Sequence, residues 1–227
     1  MKCVNRFRLF VLAVIVFSFL TGAPTAKVAQ GKDVPLPNLS ELTAEWCKWL
    51  YSIPENSNPT REGNAGKVLQ GQPYKGSKLY FLAAPEVAEV EITVPAGSAF
   101  FFPVLVCEWD NGATPPTSPD YFSLKEMYSI CSGAMDAATK KFATLDGVNL
   151  QVQRLQSPPF ACKLPKGNIA GLNIPVIAPA VSDGYWVFIP PLPKGRYELE
   201  FGGEIPNYDH PRNIGYTTAV FYTINVE

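Results

Sequence analysis

Two carboxylates flank a tryptophan at Glu108, Trp109 and Asp110. They follow an apolar run directly, and residues two apart on a strand share a face. A carboxylate pair is the catalytic equipment of most glycosidases, and the same oxygen atoms together with Asn111 would suit calcium. The alternative is that Asp110, Asn111 and Gly112 only end the strand in a turn, because Asp and Asn bond to their own backbone there. We predict a ligand-binding role for Glu108, Trp109 and Asp110, with no other metal site.

Asp183 is the fourth candidate ligand-binding residue, because it precedes a buried apolar strand. It would either form a turn or work with Glu108 or Asp110 in a carbohydrate-active enzyme, whose two carboxyls must lie about 5–9.5 Å apart across a cleft. A serine triad needs a base, and His210 is the single histidine. Neither a G-x-S-x-G elbow nor a phosphate-binding G-x-x-x-x-G-K loop occurs. We therefore assign no catalytic residue and predict a non-catalytic ligand-binding or cell-surface structural module, with the carbohydrate-active enzyme as the alternative.

The first 26 residues have the order of a secretory signal peptide. Basic residues precede an uncharged run from Leu9 to Leu20, and small residues follow it. Because Pro24 disturbs the cleavage pattern, the cut is placed only between residues 23 and 29. The run is shorter than the roughly 20 apolar residues of a membrane span, so no stable span remains after cleavage. These features predict a secreted, periplasmic or cell-surface protein.

The charge of the remaining chain is mild and mixed. Removing residues 1–26 takes away three basic residues and leaves 16 basic against 20 acidic side chains. Nucleic-acid binding is excluded as a class because no basic block or stripe is present. The partners that remain are carbohydrate or another surface protein.

Four cysteines remain once Cys3 leaves with the signal peptide. An even number in an exported chain predicts two disulfides, for which three pairings exist. We favour Cys107 with Cys131, which leaves Cys47 with Cys162. Zinc is disfavoured because no closely spaced Cys or His pair occurs.

The elements that must position these residues are short strands and two helices. Asn38 to Glu41 and Ser123 to Glu126 have the spacing of capping boxes. The first predicts an amphipathic helix that Pro54 ends, and the second predicts a helix whose apolar spacing reaches Phe142, with Gly133 as a weak point. Asp146-Gly147 is a hairpin turn signal. The predicted strands are Lys78–Ala84, Val90–Val94, Ala99–Val106, Val148–Val152, Asn173–Ala178, Tyr185–Ile189, Tyr197–Phe201 and Tyr216–Val226.

Strands with close turns and two packed or inserted helices predict a mostly β fold. We expect an antiparallel β-sandwich of jelly-roll type over residues 38–227, preceded by a polar lead-in at 27–37. In the strand Ala99–Val106, Pro103 indicates a sheet edge or a bulge, since proline cannot donate to a strand ladder.

Three motifs carry a resemblance to other proteins. They are W-x-x-W-x-x-S-x-P from Trp46 to Pro54, V-P-A-G leading into F-F-P-V from Val94 to Val104, and D-G-Y-W leading into P-L-P-K-G from Asp183 to Gly195. In these the chain resembles a group of exported bacterial proteins of unknown function. The resemblance covers most of the mature chain and implies a common fold, but it brings no catalytic residue.

Overall fold

A computed structural model of the protein describes residues 38–61, 63–66, 77–84, 89–206 and 215–227. These residues belong to one compact unit, which runs from Pro35 to Glu227. The predicted signal peptide, the lead-in at 27–37 and His210 lie outside the described residues. Within the part that is described, no helix is long and apolar enough to cross a membrane.

Two 13-residue helices and ten strands make up the described fold. The helices are α1 (Leu39–Tyr51) and α2 (Leu124–Asp136), and a short 3-10 turn at Glu55–Ser57 follows α1. The strands are β1 (Leu79–Phe81), β2 (Glu89–Val94), β3 (Ser98–Asp110), β4 (Lys140–Leu145), β5 (Val148–Asn149), β6 (Gln153–Gln156), β7 (Phe160–Lys163), β8 (Val176–Leu192), β9 (Gly195–Ile205) and β10 (Tyr216–Val226). The prediction of a mostly β fold with two helices is confirmed.

The strands form two five-stranded sheets. The first sheet has the order β1-β3-β8-β6, with β7 also paired to β8, and the second has the order β2-β10-β9-β4-β5. Most pairs are antiparallel, but β1 runs parallel to β3, and β2 runs parallel to β10. The expectation of purely antiparallel sheets was therefore wrong. The physical reason is that the chain leaves the first sheet after β1, forms β2 in the second sheet, and returns to the first sheet as β3 in the same direction as β1.

Side chains from both sheets form one buried cluster. Phe102 of the first sheet lies 4.5 Å from Phe201 of the second, between ring centroids, and Phe201 stacks on Tyr222. All three rings are buried in this cluster. Large aromatic rings supply much of the burial energy of such a core. The inward-facing residues of the alternating strands thus hold the two sheets together.

Helix α1 covers the outer face of the first sheet through its tryptophans. The Asn38 side chain accepts the N–H of Glu41 at 3.4 Å, which caps the start of the helix. Trp46 packs edge-on against Trp186 at 5.5 Å, and its indole N–H donates to the carbonyl of Leu82 at 2.7 Å. The amphipathic face of α1 is therefore part of the core, as its apolar spacing indicates.

Helix α2 begins at the predicted capping box and ends earlier than predicted. Ser123 accepts the N–H of Glu126, while the Glu126 carboxylate accepts the N–H of Ser123 at 2.8 Å. The helix ends at Asp136, and Phe142 belongs to β4. Apolar spacing misplaced this end because a single inward-facing residue of a strand can continue a helical pattern by chance. Gly133 lies inside the helix without splitting it.

Other boundaries differ in length. The Asp146-Gly147 hairpin is confirmed, with φ of 50° and 74°, and it joins β4 to β5. Both angles lie in the left-handed region that such two-residue turns require. The predicted strand Val148–Val152 is reduced to two residues, whereas the strands Asn173–Ala178 and Tyr185–Ile189 are replaced by one continuous strand, β8.

Candidate functional site

A bulge in β3 decides which way the candidate carboxylates face. The pairing of β3 with β8 shifts register between Pro103 and Leu105. Val104 and Leu105 consequently both face the core between the sheets, although they are neighbours in sequence. After the bulge, Val106 faces the α1 side, and Glu108 follows it two residues later. The predicted irregularity at Pro103 is confirmed, and without it strand alternation would point Glu108 between the two sheets.

The Glu108 carboxyl contacts α1. Tyr51, at the last position of α1, donates its phenolic O–H to Oε2 of Glu108 at 2.6 Å. The other oxygen, Oε1, is buried and has no hydrogen-bond partner. Buried polar atoms are nearly always satisfied, so an orphan carboxyl oxygen is a feature that calls for a ligand or a proton.

The environment of Glu108 favours its neutral form. The pKa of Glu108 is raised from 4.5 to about 8, first by burial and then by the nearby charge of Asp110, while the Tyr51 bond lowers it and a hydrogen bond with Asp110 raises it. The phenol responds in the same way, since burial and then the charge of Glu108 raise the pKa of Tyr51. At neutral pH this carboxyl therefore holds a proton.

Asp110 shares the face of Glu108 and also makes the predicted turn. Its carboxylate accepts the N–H of Gly112, which has a φ of 53°. Asn111 anchors the following loop, because its side chain accepts the N–H of Phe122 at 2.8 Å and donates to the carbonyl of Phe122 at 3.0 Å. The indole ring of Trp109 packs edge-on against Phe122 at 5.8 Å. Trp109 thus points to the α2 side and away from Glu108.

Asp183 lies on the opposite face of the first sheet and is fully buried. The guanidinium of Arg154 holds it with two bonds, of 3.1 Å to Oδ1 and 3.0 Å to Oδ2. Ser132 of α2 and Gln156 of β6 also donate to Oδ2, at 3.1 and 3.0 Å. The structure therefore joins Glu108 and Asp110 but separates both from Asp183, which ties α2 and β6 to β8.

Beyond Phe101, β3 is an edge strand within the described residues. Strand β1 pairs only with residues 99–101, after which the chain crosses toward the second sheet. Strand β10 has a matching free stretch, because β2 pairs only with residues 221–226. The two open edges belong to different sheets and border the same groove.

This groove has a volume of about 430 Å³. Its lining includes Trp46 and Leu50 of α1, Ile205 and Tyr216 of the second sheet, and Glu108 of β3. Tyr216 is 48% exposed, so part of its ring is available for contact. A largely apolar groove that contains a few polar groups, one of them with a shifted pKa, is a common form of ligand site.

The predicted disulfides are absent. Cys47, Cys107, Cys131 and Cys162 are all free thiols. A disulfide needs its sulfurs about 2.05 Å apart, whereas Cys107 and Cys131 meet as thiols, and this contact, followed by burial, raises the pKa of Cys131. An even count of cysteines gives the possible pairings but not the distances.

The remaining thiols are unsuited to nucleophilic chemistry. Burial raises the pKa of Cys162 to about 12 and that of Cys47 well above its usual value, and the charge of Glu108 acts in the same direction on both. Only the thiolate form is a good nucleophile or metal ligand. Among the described residues, no three or more His, Cys, Asp or Glu side chains form a group that could hold a metal ion.

No family model, no curated protein and no solved structure matches this chain. Sequence reasoning found Glu108 and Asp110 but missed Tyr51, which bonds Glu108 from α1, and Tyr216, which lines the groove from β10. No local pattern marks these tyrosines, because only the packing of α1 and the second sheet brings them to β3.

Proposed function

We propose that this chain is an exported, non-catalytic β-sandwich protein of jelly-roll type that binds a ligand in the groove beside Glu108. The observation that carries the proposal is the buried Oε1 of Glu108, which lacks a hydrogen-bond partner and belongs to a residue that lines a largely apolar groove. The jelly-roll assignment is supported by the first strands, which alternate between the two sheets along the chain. Export is supported by the signal-like first 26 residues.

The non-catalytic reading is supported by the way the carboxyls are held. Glu108 and Asp110 are side by side on one strand face, whereas glycosidase carboxyls flank a substrate from two sides. Asp110 accepts the N–H of Gly112, and Asp183 is held by Arg154 on the other face. Asp110 and Asp183 thus have positional roles in the fold.

The chemistry of the groove defines the class of ligand. The neutral Glu108 carboxyl would exchange hydrogen bonds with a hydroxyl or an amide group, while Trp46, Leu50 and Ile205 would contact apolar surface. The half-exposed ring of Tyr216 adds a flat contact. Both carbohydrates and polypeptides offer such groups, and both are expected partners of an exported protein.

The experiment is a binding screen of the mature protein, residues 27–227, on a glycan array and on a library of random linear peptides. Tyr216→Ala is the test variant, and Phe221→Ala is the matched control. Both aromatic residues lie on β10 and are about half exposed, at 48% and 44%, but Phe221 does not line the groove. We expect a ligand whose affinity falls at least tenfold in Tyr216→Ala and stays unchanged in Phe221→Ala. A ligand that is insensitive to Tyr216→Ala, or no ligand in either screen, refutes the proposal.

A carbohydrate-active enzyme is the second candidate, because Glu108 has a pKa of about 8 next to another carboxyl. One neutral and one ionised carboxyl are what acid-assisted glycoside cleavage requires. Incubating array-positive glycans with the protein distinguishes the two functions. Turnover that disappears in both Glu108→Gln and Asp110→Asn would select the enzyme, whereas stable binding without products selects the binding module.

A further inference from the structure

We propose that the ligand of this groove is an extended polypeptide segment of another protein, which adds to the open edge of β3 as a further strand. The inference rests on the proposed binding function and names its ligand class. In strand addition, backbone hydrogen bonds supply much of the affinity, and pockets for alternate side chains supply specificity. The β3 edge offers both features.

The backbone of β3 points its free groups into the groove. On the β1 side, the carbonyl of Phe101 accepts the N–H of Leu82 at 3.2 Å, so this residue faces the edge. The one-residue bulge then reverses the alternation. Further along, Glu108 pairs with Ser182, whose carbonyl is turned away from β3 and accepts the N–H of Ser157 at 2.9 Å. Glu108 is therefore in a pair without mutual hydrogen bonds, and its N–H and C=O point to the open edge.

Val106 has the same orientation, because it is two residues before Glu108 and also follows the bulge. These two residues present two N–H groups and two carbonyls in the spacing of a strand ladder, and the Glu108 carbonyl has a long contact of 4.0 Å with the Cys107 thiol. Within the described part of the chain no strand pairs with them. Pro103 and the bulge limit the docking surface at its other end, since proline has no N–H to donate. The added strand is consequently short and pairs beyond Pro103.

The side chains around this edge define the sequence that fits. One face of an added strand would meet Trp46 and Leu50 of α1, and the other would meet Ile205 and Tyr216 of the second sheet. Apolar residues are favoured on both faces. Next to Glu108, a polar side chain is favoured, because Oε1 of the neutral carboxyl has no hydrogen-bond partner. The partner is an extended, largely apolar segment with an Asn or Gln at that position, since an amide can both donate to and accept from such a carboxyl.

The test uses peptides selected from the random linear library on the mature protein. Each selected peptide is resynthesised in two forms, with alternate backbone amides N-methylated in one register or in the other. An added strand uses the amides of only one register for pairing. We expect at least a tenfold loss of affinity for one methylated form and less than a twofold change for the other, with the unmethylated peptide weakened at least tenfold by Tyr216→Ala and unaffected by Phe221→Ala.

Four outcomes overturn the inference. Equal losses of affinity for the two methylated forms would mean that the peptide backbone does not pair with β3 as a strand. Binding of glycans alone, sensitive to Tyr216→Ala, would leave the binding function in place but exclude a peptide ligand. Concentration-dependent dimers that compete with every selected peptide would assign the edge to a second copy of this chain. If no ligand of either class depends on Tyr216, the proposed function fails together with its extension.

Discussion

Replacing Glu108 with Gln should stabilise the folded protein increasingly as the pH rises from 5 to 9. In the folded state the pKa of Glu108 is about 8, compared with an ordinary value of 4.5. The folded state therefore binds this proton more tightly than the unfolded state throughout that window. Below pH 4.5 Glu108 is protonated in both the folded and the unfolded state, so it leaves the free energy of unfolding unchanged, whereas above pH 8 the folded state carries a buried charge.

The magnitude follows from the same two values. Each pH unit between them lowers the free energy of unfolding by about 1.4 kcal/mol, so the full loss approaches on the order of 5 kcal/mol at pH 9. Gln has nearly the same shape, carries no charge, and its amide oxygen can still accept the O–H of Tyr51. The variant should therefore lack this decline.

Urea unfolding at pH 5, 7 and 9 measures the effect. The difference between Glu108→Gln and the wild type should be small at pH 5 and reach several kcal/mol at pH 9. Glu89→Gln is the control, because Glu89 is exposed at the start of β2 and its replacement should leave the wild-type profile unchanged. Parallel profiles for Glu108→Gln and the wild type from pH 5 to 9 would show that the carboxyl is ionised in the folded state and would refute the reasoning.

Three further substitutions test the packing that positions the groove. Trp46→Phe removes the donor to a buried carbonyl and should lower the free energy of unfolding, measured in urea, by about 1–3 kcal/mol. Trp49→Phe is the control: the N–H of Trp49 has no acceptor, so its free energy of unfolding should fall by less. Gly203→Ala places a Cβ 2.7 Å from a leucine side chain and from a backbone carbonyl, so it should lower the free energy of unfolding by about 1–3 kcal/mol and lower the melting temperature. In Gly133→Ala the new Cβ meets nothing within 4 Å, and because Ala favours helices more than Gly does, the melting temperature should rise. Arg154→Met leaves the buried Asp183 without its ion-pair partner and should lower the free energy of unfolding by about 3–5 kcal/mol. An equal loss in the double variant Arg154→Met with Asp183→Asn would contradict the ion-pair explanation.

The sequence predicted the elements of the site better than their arrangement. Capping residues and hairpin signals act over three or four positions, so Asn38, Ser123 and the Asp146-Gly147 turn could be recognised directly. The sharing of one face by Glu108 and Asp110 also follows from strand alternation. Which face they share depends on the bulge at Pro103, and the sequence indicated an irregularity there without giving its effect on the residues that follow.

Long-range contacts were beyond local patterns. The tyrosine that bonds Glu108 lies 57 residues earlier in the chain, and the α1 tryptophan bonds a carbonyl 36 residues away. The carboxylate of Asp183 was read as a turn or a ligand site because its partner, Arg154, lies in a strand that the sequence did not predict. Parallel pairing at both sheet edges was missed for the same reason, since it depends on the order in which the chain visits the two sheets.

The parallel pairing of β2 with β10 has a consequence for how the molecule folds. β2 is the first strand of the second sheet along the chain and β10 is the last described strand, and β10 is the only described strand that pairs with β2. The second sheet therefore cannot close until nearly all of the described sequence has been synthesised and brought together. Such high contact order slows folding, because the entropy of closing a long loop is lost before the contacts form. A nascent chain of this kind stays open for longer than a helical protein of the same length would.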